Sequence, residues 1–302
     1  MRSAKRIFLF LAVNFLVVIT ISVVLNLLNI RPFIEAHGIN YYSLMIFCLI
    51  WGMGGAFISL ALSRQMAKWL LGVKVIDPTT ESPDSKHLLE TVYKLAKNAK
   101  LSAMPEVGIY ESSEVNAFAT GPSQKRSLVA VSTGLLNRMN QDELEGVLAH
   151  EITHISNGDM VTMTLLQGVV NAFVMFLARI LAFASSGIGK QRENSSNSSY
   201  MSYYLFVMLF EVIFMVLGSL IISWFSRQRE FRADRGGAFL AGKNKMVSAL
   251  EALQNFHKRK DLSAEKPALQ MLKISSSKKG GLLTLFATHP PLEVRIERLK
   301  NS

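Results

Sequence analysis

Four long apolar runs divide this chain. Residues 7–30, IFLFLAVNFLVVITISVVLNLLNI, carry no charge, and as a helix rising about 1.5 Å per residue they would extend about 36 Å. That length crosses a hydrocarbon core of about 30 Å. A cleaved signal peptide has a shorter apolar core and a small-residue cleavage site, neither of which is present, so the run is expected to be retained as a span. A second run, 41–62, returns after a polar turn containing Pro32 and Gly38. A third, 160–183, and a fourth, 203–225, are joined by ASSGIGKQRENSSNSS, a flexible polar linker by composition. The pattern predicts four hydrophobic helices in two hairpins. Asn171, Arg179 and Glu211 interrupt the second hairpin, which leaves open whether it spans fully or lies partly against protein.

Between and after the runs the pattern changes to that of a folded domain. Past the breaker DPTTESPDS, Leu88, Leu89, Val92 and Leu95 recur at helical spacing and predict an amphipathic helix over 86–100. Short strands are expected at 106–110, 114–119 and 127–132, with Gly121 and Pro122 as turn formers. Asn140 followed by Glu143 forms a capping-box pattern that opens the next helix. Residues 244–257 read as a further amphipathic helix, the basic stretch 258–281 as a mobile loop, and 290–300 as a closing helix begun by Pro290 and Pro291. The domain organisation follows: a transmembrane hairpin over 1–74, a first soluble segment over 75–159, a second hydrophobic hairpin over 160–225, and a second soluble segment over 226–302.

Charge adds an orientation. The chain carries a formal net charge of +11. Arg2, Lys5 and Arg6 precede the first run, Arg64, Lys68 and Lys74 follow the second, and Arg227, Arg229, Arg232 and Arg235 follow the fourth. The positive-inside rule reads all of these flanks as cytoplasmic. Both soluble segments then share one compartment and can build one domain. No nucleic-acid-binding signature accompanies the basic residues, so nucleic acid is not an expected partner. The single cysteine, Cys48, lies within an apolar run, which excludes a disulfide framework and a cysteine-based metal site.

The chemistry concentrates in LAHEITHISNGD, residues 148–159. His150 and His154, four apart, stand one above the other on a helix, so both imidazoles can reach one ion at about 2.0–2.1 Å. Leu144, Leu148, Ile152 and Ile155 form the apolar stripe, and the histidines are expected to project from a largely different face. Glu151, rotated off the histidine face by one residue, is a poor ligand but well placed to take a proton from a water activated by the metal. The bland alternative is an ordinary helix with two histidines, because His-Glu-x-x-His is short. A third ligand decides. RQREFRADRGG offers Glu230 and Asp234, again four apart: Glu230 to complete a three-ligand site with one open position, and Asp234 to accept the other ring N–H of a ligating histidine. The alternative there is a charged helix start beside a membrane.

With HEITHISNGD, EFRADRGG and THPPLEVRIERL in view, the whole chain resembles the HtpX-type bacterial membrane zinc metalloproteases, relatives of the CAAX prenyl endopeptidases and more distantly of thermolysin-like gluzincins. The resemblance implies an α-helical membrane protein with a gluzincin-like α+β protease domain facing the cytoplasm, one Zn2+ per chain on His150, His154 and Glu230, and Glu151 as the catalytic glutamate. EVNAFATG resembles the family's substrate-binding edge strand, which makes Asn116, Ala117 and Phe118 substrate-binding candidates, with a turn asparagine as the rival for Asn116. An edge strand pairs an extended peptide through its main chain. His289 resembles the family's closing His-Pro motif; it either stabilises an oxyanion or bonds the domain structurally, with Arg295 pairing a carboxylate such as Asp234.

The resulting expectation is a zinc endopeptidase of the bacterial inner membrane that cleaves misfolded or unassembled membrane proteins at the cytoplasmic face, in protein quality control and stress response. Its partners are then the lipid bilayer, membrane-protein substrates and other quality-control proteases. The alternative is a non-enzymatic scaffold or chaperone-like subunit with a structural metal, which would have no use for Glu151. An intramembrane protease fits less well, because NRMNQDELEG precedes the motif and SNGD follows it. Two imidazoles disfavour calcium or magnesium.

Overall fold

The computed structural model describes residues 40–80, 82–186, 196–263 and 285–302. The first expected span, 7–30, lies outside them, as do most of the polar linker and residues 264–284 of the basic stretch. In chain order the elements are α1 (Tyr41–Leu70), β1 (Lys74–Val75), α2 (Pro83–Asn98), β2 (Glu106–Tyr110), β3 (Ala117–Ser123), β4 (Arg126–Ser132), α3 (Thr133–Leu136), α4 (Gln141–Asn157), α5 (Asp159–Ser186), α6 (Ser196–Ala241), α7 (Lys243–Ser263) and α8 (Leu292–Lys300). Two compact units result, one from the chain up to Ile58 with Thr164–Ile221, the other from Ser59–Met163 with Ile222–Ser302.

In the first unit α1 and α5 pack Tyr41, Met45 and Cys48 against Phe176, Ile180 and Phe183. Gly52 admits the backbone of Ala172, since a Cβ there would sit 2.6 Å from its nitrogen. Close approach at small residues is how helices associate where lipid supplies no hydrophobic drive. Arg179 donates to Glu211 at 2.9 Å, so these two charged interruptions of the apolar runs satisfy each other. Ile50, Trp51, Tyr204, Leu205 and Met208 face outward. Among the described residues, three helices, α1, α5 and α6, are long and apolar enough to cross a membrane.

The helices outrun their apolar stretches. α1 continues past residue 62 to Leu70 because Arg64 and Lys68, expected only as flanking charges, also pair with Glu106 at 3.1 and 2.8 Å. α6 runs for 46 residues, carrying the fourth run straight on through Glu230 and Asp234. α7 likewise extends to Ser263, so the beginning of the expected basic loop is helical.

The second unit is built on a four-stranded mixed sheet in the order β1-β2-β4-β3. β4 pairs parallel with β2 and antiparallel with β3. Its run of Val129, Ala130 and Val131 is fully buried, as expected of a strand covered on both faces. β3 stands at the end of the sheet. It begins at Ala117 instead of residue 114 and passes through Gly121 and Pro122 instead of turning there. A register shift between Thr120 and Ser123 absorbs the irregularity. Gly121 adopts φ +137 and admits the Arg126 carbonyl where no side chain would fit, which is the usual use of glycine at a bulge. The core joins Leu88, Val92 and Leu95 of α2 and Val129 and Val131 of β4 to Leu144, Leu148, Ile152 and Ile155 of α4. The predicted stripe of α4 therefore faces inward.

Candidate metal centre

Both ends of α4 are fixed. At its start Asn140 accepts from the Glu143 N–H and Glu143 accepts from the Asn140 N–H, each at 3.0 Å, satisfying two donors that a helix leaves unpaired. At its end Gly158 turns left-handed, φ 65 and ψ 38, and returns its N–H to the last carbonyls. Glycine is the residue that adopts this cap without steric cost. Gln124, in the β3–β4 turn, donates to the Ser156 carbonyl at 2.7 Å. The turn at Gly158 starts α5 at once, with Asp159 as its first residue.

On this helix the two imidazoles face each other. Their Nε2 atoms lie 3.1 Å apart, and the Glu230 carboxylate approaches both at 3.4 Å. Each ring's outer nitrogen is engaged. His150 Nδ1–H donates to Asp234 at 3.0 Å, and His154 Nδ1–H donates to Asp159 at 2.7 Å. These bonds fix the tautomer of the neutral rings, in which both Nε2 lone pairs are directed inward. Two nitrogens bound at about 2.0–2.1 Å to one tetrahedral ion stand about 3.3 Å apart, so the donor set fits a single small cation without rearrangement. His150, His154 and Glu230 form the one three-donor cluster of this kind among the described residues, with ligand atoms within 4.8 Å of one another.

Charge is balanced around the cluster. Arg295, buried in α8, holds Asp234 with two bonds, from Nε at 2.8 Å and from the guanidinium NH2 at 2.5 Å. Burial works to lower the pKa of each imidazole, but the carboxylate hydrogen bonds outweigh it. His150 is raised by Asp234 and Glu230, and His154 is pushed up to about 9 by Asp159 and Glu230. In the metal-free protein both rings therefore hold their protons tightly, and a metal must displace them.

Sequence reasoning placed Glu230 and Asp234 on one helix face and anticipated the Arg295–Asp234 pairing as one of two readings. Other expectations change. The histidines are not presented at a surface; His150 and His154 are only 7% and 8% exposed, because Glu230, Asp234, Asp159 and Arg295 close over them. Asp159 was given no role, although it closes the quoted motif. The signal available for it was the Gly-Asp pair at the predicted helix end. Glu151, Asn116, Ala117, His289 and Arg295 all line one cleft of about 1360 Å³ together with His150 and Glu230. Phe118 does not line it. Alternation along β3 turns its ring to the other side, against Tyr110 at a centroid distance of 5.7 Å. Asn116 lies just before β3, its carbonyl accepting from the Ser132 N–H at 3.0 Å and its N–H donating to the Ser132 hydroxyl at 3.1 Å. His289 is exposed, with Nδ1 3.1 Å from Glu230.

Residues 83–302 match Peptidase family M48. The chain is 50% identical to a Protease HtpX homolog of Bacillus pumilus, over 98% of this chain and 99% of that one. It is 47% identical to Protease HtpX of Thioalkalivibrio sulfidiphilus, over 98% of both. Among solved structures, S. mikatae Ste24p matches with a TM-score of 0.59 at 17% identity, covering 96% of this chain and 66% of that one.

Proposed function

Because the chain belongs to peptidase family M48, we propose that its buried His-His-Glu cluster holds one zinc ion and that the adjoining cleft cleaves membrane proteins at the cytoplasmic face of a bacterial inner membrane. The observation that carries the site assignment is the convergence of the two Nε2 atoms and the Glu230 carboxylate, with both outer ring nitrogens held by Asp234 and Asp159.

A zinc ion bound there supplies a Lewis acid that polarises a peptide carbonyl and makes water acidic near neutral pH. The chain's own residues perform the remaining work. Glu151, on the cleft side of α4 and outside the ligand set, takes the proton from the attacking water and returns it to the departing amine. Ala117, at the start of the edge strand, offers main-chain groups to an extended peptide, with Asn116 alongside. His289, exposed in the cleft beside Glu230, would donate to the oxyanion, whereas Arg295, bonded to Asp234 and 3.5 Å from Glu230, serves to hold the site.

Three observations support the location. α1, α5 and α6 are apolar enough to span a membrane, and run 7–30 has the length and composition of one more span. The basic residues flanking the runs favour a cytoplasmic site. Asp159 and Glu230 both lie within a few residues of an apolar run, which favours substrates delivered by the bilayer.

The test uses detergent-purified protein stripped by chelator and reloaded with zinc. The parental protein should cleave a model membrane substrate only after zinc is restored. Glu151→Ala should bind zinc equally and cleave nothing. Cleavage by that variant at the parental rate would remove Glu151 from the mechanism, and full biological function without it would favour the scaffold reading.

A further inference from the structure

We infer that the glycine pair after Asp234, Gly236 and Gly237, is a positioning device that sets how deeply the Glu230 carboxylate reaches into the metal centre. The inference rests on the metal-centre reading above and adds residues that touch neither metal nor substrate.

Glu230, Asp234 and Gly237 recur at i, i+4 and i+7 along α6, so the face that delivers the two carboxylates also carries the bare backbone. What that backbone meets is the histidine turn of α4. A Cβ on Gly237 would lie 3.1 Å from the His150 backbone nitrogen and 2.9 Å from Met246 Sδ. A Cβ on Gly236 would overlap Thr153 Cγ2 and lie 2.8 Å from its Oγ1. Thr153 cannot rotate aside freely, because Oγ1 donates to the Ala149 carbonyl at 2.8 Å inside α4 and the residue is buried between the two histidines. The two helices therefore touch at a point where neither side has room for a methyl group.

The carboxylates depend on that contact for their reach. Asp234 precedes Gly236 by half a turn, and Glu230 lies about 9 Å up the helix at about 1.5 Å per residue. α6 is one uninterrupted helix through this stretch, so pushing it away from α4 at Gly236 withdraws Asp234 from His150 and Glu230 from both Nε2 atoms together. Loss of such supporting geometry typically weakens metal binding about 10–100-fold.

The experiment measures zinc affinity by competition with a chromophoric chelator, on full-length protein in detergent. Gly236→Ala should bind zinc about 10–100-fold more weakly than the parental protein. Adding Thr153→Ala removes the atoms that collide and should restore most of the lost affinity, although neither substitution touches a ligand. A merely structural role would lower the Tm of the metal-free protein in step with affinity, whereas the positioning role lowers affinity while the metal-free Tm stays near the parental value. Unchanged affinity in Gly236→Ala, or a loss that Thr153→Ala does not relieve, overturns the inference. Should Gly236→Ala fail to fold, Gly237→Ala, which meets a movable sulfur and the backbone at 3.1 Å, is the gentler variant. It should still lower zinc affinity, and parental affinity there would equally overturn the inference. A parental protein that binds no zinc would instead overturn the metal-centre reading itself.

Discussion

The two imidazoles are supported in different ways. His154 is held by Asp159, five residues away across one glycine turn. His150 is held by Asp234, eighty-four residues further along the chain and itself clamped by Arg295 from the last helix. One arm is complete once α4 ends. The other exists only after α6 and α8 have closed the domain. Metal geometry on the first arm is thus a local property, and on the second a readout of tertiary folding.

Substitutions can separate the two arms. Asp234→Ala should have the largest effect, because it frees His150 and also removes the two-bond partner of the buried Arg295 guanidinium, leaving it only Glu230 at 3.5 Å. Removing one partner of a buried ion pair costs about 3–5 kcal/mol, so thermal unfolding should show a clear drop in Tm along with weakened zinc binding. Asp159→Asn should lower zinc affinity by about 10–100-fold while leaving Tm above about pH 9, where His154 has lost its proton, much closer to the parental value, since no Lys or Arg is paired with Asp159 among the described residues. Equal losses of Tm in the two variants would abolish the distinction between a local and a tertiary arm.

A pH series offers a smaller effect with a defined sign. His154 is raised from 6.5 to about 9 in the metal-free fold, so its protonated form stabilises that fold. The contribution is complete below about pH 6.5 and is lost as pH rises through about 9. Zinc needs the neutral ring, so its affinity rises over the same interval. Thermal scans in chelator should therefore lose this contribution between pH 6.5 and 9, whereas zinc-dependent stabilisation should grow. In Asp159→Asn, which removes a main cause of the raised value, both trends should flatten.

The same contrast explains what could be read in advance. Glu230 and Asp234 were legible because helical spacing and residue type suffice to propose a ligand and its supporter. Asp159 was not, although it sits in the same quoted stretch: its position depends on the left-handed conformation of Gly158, and periodicity says nothing about the direction a chain takes after a cap. The apolar runs marked their helices but not the helix ends, which are set by polar partners such as Glu106. β3 was misjudged at both limits for a related reason. Gly121 and Pro122 are turn formers in isolation, yet pairing with β4 carries the strand past them as a bulge. Burial of the imidazoles also escaped the sequence, since what covers them comes from three separate elements.

The bulge sets a ruler on the edge of the sheet. Between Ala117 and Thr120 the register with β4 is regular, a stretch of about 13 Å at about 3.3 Å per residue. Beyond it the strand bends at Gly121, and Pro122 has no N–H to donate. A polypeptide laid along this edge finds an orderly row of partners for about four residues and then none. If substrate pairs with this edge as proposed, its grip is brief and indifferent to side chains, too short to peel a segment from a folded neighbour.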